Sequence, residues 1–303
     1  MRVTNSGQRA IATIQSHLEA MAKTQEQVSS GLRVSKPSDA PLAAAQLLNL
    51  NSGISRSNQY QRNIESGMTA LRSTDDALGR IQELLTKARS LAVQGGNESL
   101  SSEDRVALAN EVDEALRELL TIANEKSGNR YLFGGSETRS APYLPVEDDS
   151  GRLVDVAVKF DQPPQSVQIA SGDGEVIEIT LSATDTFDLS GGDSVFKTLL
   201  DLRNALDNDS AEGASAAIPR FDAALDQLGG LASLVGSRVQ AAQNQLTKLV
   251  SQKVEMTTRV SDLGDTDLVE AMTRLQQEQT AYQISLQTIA SVMQSKLADF
   301  VSL

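Results

Sequence analysis

Near the start of the chain, apolar residues fall at Ile11, Ile14, Leu18, Met21, Val28 and Leu32, with Gln25 as the one polar member of the series. Steps of three and four alternate throughout, which is the seam of a heptad helix. The helix is expected to end near Gly31. Two prolines and the caps Ser38 and Asp39 then mark a turn before helix resumes over 43–50. A second long helix is predicted over 57–94, its seam running through Ile64, Met68, Leu71, Asp75, Leu78, Gln82 and Leu85. Ser101 with Asp104 reads as a capping box opening a third helix, through Leu119 to about Ala123. The most regular series of all, from Val235 to Leu263, repeats without interruption over four heptads. Asp267 and Glu270 cap a last helix, whose seam holds Leu268, Met272, Leu275, Gln279, Tyr282, Leu286, Ile289 and Met293 before Leu297 and Phe300.

Between Gly134 and Leu202 the period changes. Four of the seven prolines lie here, with glycine turns at Gly134-Gly135, Gly172 to Gly174 and Gly191-Gly192. Short alternating runs predict strands over 153–160, 166–170, 175–181 and 186–189. Helix returns over 195–208, pauses over 209–215 and restarts with Pro219 at a first-turn position. The reading is therefore mainly α, an elongated antiparallel helical bundle or coiled coil with a small β-rich inserted domain. Residues 1–50 and 265–303 are expected to be terminal coiled-coil segments, disordered in the free monomer because an apolar seam cannot bury itself. Residues 51–135 and 205–264 form a helical rod. Residues 136–204 form an insert facing outward into solvent; thirteen acids against five bases give it a charge of −8.

Composition narrows the function. Aromatics are only 3% and Trp and Cys are absent, which suits thin helices and removes thiol chemistry and disulfides. A net charge of −13 without a basic cluster argues against nucleic acid. No apolar stretch is long enough for membrane insertion, and the first residues lack the apolar core of a cleaved signal. The single histidine, His17, sits beside the first seam and reads as a flank residue rather than a metal ligand or base. Asp75-Asp76 and Glu147-Asp148-Asp149 read as solvated surface. No catalytic, cofactor-binding or metal site is assigned, no cofactor is expected, and the chain is not read as an enzyme. The glycine pair of Arg130, Tyr131, Phe133, Gly134 and Gly135 reads as a turn at a domain boundary.

The stretch from Val28 to Pro41, Val-Ser-Ser-Gly-Leu-Arg-Val-Ser-Lys-Pro-Ser-Asp-Ala-Pro, resembles the signature of the bacterial flagellin superfamily. Ser90 to Gln94 with its Gly/Asn loop is similar to that family's first core domain. Asn129 to Thr138, Ala141 to Tyr143 and Ala271 to Gln287 resemble the branch that joins hook to filament. The resemblance covers about 1–143 and 220–303. It implies an extracellular flagellar component exported unfolded by the type III apparatus without a cleaved signal. It also implies self-association in the flagellar lattice, contacts with hook-associated protein 1 and with flagellin, and an export chaperone on the C-terminal helix. The residues expected at the assembly interface are Ile11, Ile14, Leu18, Val28, Leu32, Tyr282, Leu286, Ile289 and Met293. A filament flagellin, or an acidic module whose insert binds an outside ligand, are the other readings.

Overall fold

The computed structural model describes residues 2–159, 165–189 and 193–301, and side chains at 8, 11–159, 165–189 and 193–291. The expected turn at Gly191-Gly192, the end of a strand at Phe160, and the side chains of Met293, Leu297 and Phe300 lie outside the described residues. In chain order the first helices are α1 (Arg2–Ser30), α2 (Pro41–Gly95) and α3 (Ser102–Ala123). Three short hairpins follow: β1 (Lys126–Ser127) with β2 (Arg130–Tyr131), β3 (Tyr143–Glu147) with β4 (Leu153–Val158), and β5 (Gln168–Ala170) with β6 (Val176–Glu178), all antiparallel. Then come α4 (Ala183–Phe187), α5 (Val195–Asp207), α6 (Ala211–Ala216), α7 (Ile218–Gly264) and α8 (Leu268–Val301).

Two compact units result: residues 1–56 with 251–303, and residues 57–250. Within the first of these, the last turns of α7 pack on the first turns of α2. Gly53 shows how closely. A Cβ there would stand 2.8 Å from Met256 Sδ, and one at Gly264 would stand 3.3 Å from Leu47 Cδ2. Gly53 is therefore a site of close approach inside one continuous α2, not the break expected between 50 and 57.

The middle unit holds the buried core. On α2 the buried residues run Ile64, Gly67, Met68, Leu71, Thr74, Ala77, Leu78, Ile81, Leu84 and Leu85. Asp75, expected on the seam, is exposed and Thr74 takes its place, while Ile81 is fully buried beside a half-buried Gln82. Ile64 and Met68 meet Ala242 and Leu249 of α7. Ser101 caps α3 as anticipated, its hydroxyl accepting from the Asp104 N–H at 3.1 Å.

Residues 136–204 share this core rather than forming one of their own. Tyr143, Leu153, Phe187 and Phe196 join Leu85, Leu116 and Leu119 of the helices in a single cluster. Four of the chain's ten aromatic rings meet there. Phe187 lies edge-on to Phe133 at 5.2 Å and to Tyr143 at 5.3 Å, and Tyr143 is 4.8 Å from Phe196. The Tyr143 hydroxyl donates to the Ala183 carbonyl at 3.2 Å, and burial pushes its pKa up. Of the strand expected over 186–189, Thr186 and Phe187 instead end α4, where Ala183, Thr186 and Phe187 are buried at the i, i+3, i+4 spacing of a helix, and Asp188 forms a lone bridge to Ser194. The pause over 209–215 contains α6, capped by the Ser210 hydroxyl accepting from the Gly213 N–H at 3.0 Å.

Two buried arginines tie these pieces together. Arg105 donates to the Gly95 and Asn97 carbonyls at 3.2 and 2.8 Å, where α2 ends, and pairs with Asp209. Arg203 on α5 reaches Asp113 of α3 at 2.7 Å and the Leu153 carbonyl of β4 at 2.5 Å. Arg152 adds a 2.6 Å bridge to Asp207. The hairpin β3–β4 is thereby fastened to α3 and α5 by charge as well as by its inner residues Tyr143 and Leu153.

Candidate assembly surface

In the unit built from both chain termini, α1 and α8 pack antiparallel: Gly31 lies beside Thr266, its carbonyl accepting from the Thr266 N–H at 2.8 Å, while His17 meets Glu278 at 3.1 Å. The stretch between α1 and α2 explains much of the Val28–Pro41 motif. Gly31 adopts φ +72°, where a side chain would be strained. Leu32 bridges to Asp265, and the Arg33 N–H donates to the Gly264 carbonyl at 2.6 Å. The Arg33 guanidinium reaches the Leu263 and Asp262 carbonyls at 2.7 and 3.3 Å. These are among the last carbonyls of α7, which have no partner within the helix, and a cation there also complements the negative end of its dipole.

Downstream, Asp39 closes the turn. Its carboxylate accepts from the Lys36 N–H at 3.0 Å and the Ser35 hydroxyl at 3.2 Å, and pairs with Lys23 at 3.4 Å. The Lys36 N–H foremost holds the Asp39 carboxyl below its ordinary value. The Lys36 ammonium, 3.0 Å from Glu26, does the same for Glu26. Pro37 pre-sets the turn that brings Asp39 back onto Lys36.

The predicted seams divide into two rows each. On α1, Ile14, Met21 and Val28 are half-buried, whereas Ile11, Leu18 and Gln25 are exposed, as is Leu32 just beyond the helix. On α8, Leu275, Tyr282 and Ile289 are half-buried, whereas Met272, Gln279 and Leu286 are exposed. Ile11 is 59% exposed, Leu18 44%, Met272 57% and Leu286 42%. Of the expected interface residues, Ile14, Val28, Tyr282 and Ile289 thus lie on the packed faces and Ile11, Leu18 and Leu286 on the open rows, with Leu32 exposed beyond α1; the side chain of Met293 is outside the described residues. Among the described residues of this unit, Ala271 is the one apolar side chain that is buried. Fully burying a Leu, Ile or Met contributes about 1.5–3 kcal/mol; with roughly half of each side chain still exposed, the open rows hold about half that per residue as unrealised driving force.

The motif Arg130, Tyr131, Phe133, Gly134 and Gly135 lies within the middle unit, where the helices give way to the hairpins. Phe133 is fully buried, Gly134 bridges to Ser182, and Gly135 has φ +53°. Lys126 sits 4.5 Å over the Tyr131 ring. Arg130 is exposed and lines a cavity of about 440 Å³ between α2 and the β1–β2 hairpin. Among the described residues no group of three or more His, Asp or Glu could hold a metal ion, and no helix is long and apolar enough to cross a membrane.

Comparison with known proteins matches residues 4–138 to the bacterial flagellin N-terminal helical region and residues 218–300 to the bacterial flagellin C-terminal helical region. Flagellar hook-associated protein 3 of Escherichia coli (strain K12) is 28% identical over 276 residues, 86% of either chain. A flagellin of Listeria innocua serovar 6a is 23% identical over 278 residues, 91% of this chain and 88% of its own. The crystal structure of flagellar hook-associated protein 3 from Legionella pneumophila superposes with a TM-score of 0.62 at 16% identity, covering 71% of this chain and 98% of that one.

Proposed function

The chain belongs to the bacterial flagellin family, a structural and non-enzymatic family of the bacterial flagellum, and from that premise we propose that it stands where the hook meets the filament. Its terminal helices would assemble with neighbouring copies, with hook-associated protein 1 on the hook side and with flagellin on the other. The observation that carries assembly is the division of the terminal seams: each helix packs one apolar row within the chain and leaves another open. What supports the junction over the filament is the higher identity to hook-associated protein 3, 28% against 23% for the flagellin. Residues 1–50 and 265–303 would gain order only on assembly, and an export chaperone would shield the open row of α8 before then. Export would proceed to the cell exterior without a cleaved signal.

Immunogold labelling of intact flagella tests this reading. Label should be confined to a short zone at the hook end. Label along the whole filament would overturn the junction reading and favour a filament flagellin.

A further inference from the structure

The packed faces of α1 and α8 are not the ones that hydrophobicity alone would choose. Burying both apolar rows would put Ile11 and Leu18 in the seam along with Ile14, Met21 and Val28. In the structure the second row of the α1 face is His17 and Thr24, continuing to Gly31. The second row of the α8 face is Ala271, Glu278 and Ser285. Each helix is therefore rotated about its own axis so that a small or polar row turns inward and an apolar row turns out.

Two features hold that rotation. A carboxylate accepts hydrogen bonds, so the His17 Nδ1–H donates to Glu278 Oε2, at 3.1 Å, with the two side chains 27% and 33% exposed. This side-chain hydrogen bond joins the two helices. Seven residues on from His17 stands Thr24 and seven back from Glu278 stands Ala271, the two buried side chains of the pair. Just beyond the ends of these helices the Gly31 carbonyl accepts from the Thr266 N–H and the Gly264 carbonyl from the Arg33 N–H. A polar position and a buried, smaller one thus stand one heptad apart on each helix. Small residues let the backbones approach, and the polar pair makes that approach specific.

We propose that His17 and Glu278 are positioning residues that set the rotational phase of the terminal helix pair, keeping Ile11, Leu18, Met272 and Leu286 outward for other subunits. Without them, α1 and α8 turn their apolar rows toward each other and withdraw the surface that assembly uses. The inference rests on the α1–α8 packing and the assembly role of these helices, and is independent of whether the copies sit at the junction or along the filament.

The chain lacks cysteine, so paired cysteines report phase inside assembled flagella. Thr24→Cys with Ala271→Cys probes the observed phase; Gln25→Cys with Met272→Cys probes the rotated one. Oxidised single-chain species are separated from cross-linked dimers by gel mobility. With His17 and Glu278 intact, the first pair should close at least tenfold faster than the second. Glu278→Lys should reduce that preference below about threefold, and His17→Glu combined with Glu278→Lys should restore it, which a merely space-filling role would not do. A preference unmoved by Glu278→Lys, or not restored by the exchange, overturns the proposal. If the Glu278→Lys chain is missing from flagella, return of the exchanged double variant supports the proposal, and its continued absence overturns it. Immunogold position is unaffected by either result, so failure here and failure of the junction reading are separable.

Discussion

Single residues in this chain differ most in what surrounds their charge. Arg105 is almost fully buried and satisfies two carbonyls at the end of α2, while its partner Asp209 is about half exposed. Arg105→Met should therefore cost about 2–3 kcal/mol, most of it from stranded carbonyls rather than from the screened ion pair. Arg259→Met, which breaks an exposed pair with Glu255, should stay within about 0.5 kcal/mol; urea unfolding of both variants checks the contrast. At the turn before α2, Glu26 and Asp39 carry carboxyls held below their ordinary values of 4.5 and 3.8. A depressed carboxyl contributes stability that is whole above its ordinary value and lost as pH falls below it. The turn at 33–40 should thus resist pepsin in assembled flagella at pH 4.5 and become cleavable only as the pH drops under about 4. Unchanged protection down to pH 2.5 would show that these contacts do not hold the turn.

At the level of elements, packing decides which substitutions act on the fold and which act on assembly. Phe187→Ala removes the ring at the centre of the aromatic cluster in the middle unit and should cost about 3–5 kcal/mol, read from the unfolding midpoint. Leu286→Asp changes an open row of α8, so the purified chain should unfold within about 0.5 kcal/mol of the parent. Cells carrying it should nonetheless lose attached filaments; normal filaments would remove Leu286 from the interface. The helices were legible in sequence because a period repeated over many turns outweighs local exceptions, as in the series from Val235 to Leu263. A heptad pattern shows which residues are apolar, but not which of two adjacent apolar rows turns inward. That choice depends on His17, Thr24, Ala271 and Glu278, none of them an apolar seam signal. Arg33 was hidden for a similar reason, since its partners are carbonyls some 230 residues away in the chain. Thr186 and Phe187, read as the start of a strand, end a helix because tertiary contacts of Phe187 override a weak local preference.

For the whole chain, the consequence is an uneven distribution of buried surface. Tyr143, Leu153, Phe187 and Phe196 belong to the same core as the helices around them, so deleting 136–204 should prevent the middle unit from folding rather than merely removing an appendage. The residues outside 57–250 contribute one buried apolar side chain, Ala271, among those described. Segments with few buried apolar contacts open at low free energy and are cut first. Limited proteolysis of the purified chain should therefore trim it from both ends to a resistant fragment bounded near Arg56 and Val250. The same digestion of intact flagella should leave the ends protected, because neighbouring subunits would then cover Leu18, Met272 and Leu286. Equal protection of ends and middle in the free chain would mean that α1 and α8 are satisfied by each other, and the open rows would need another explanation.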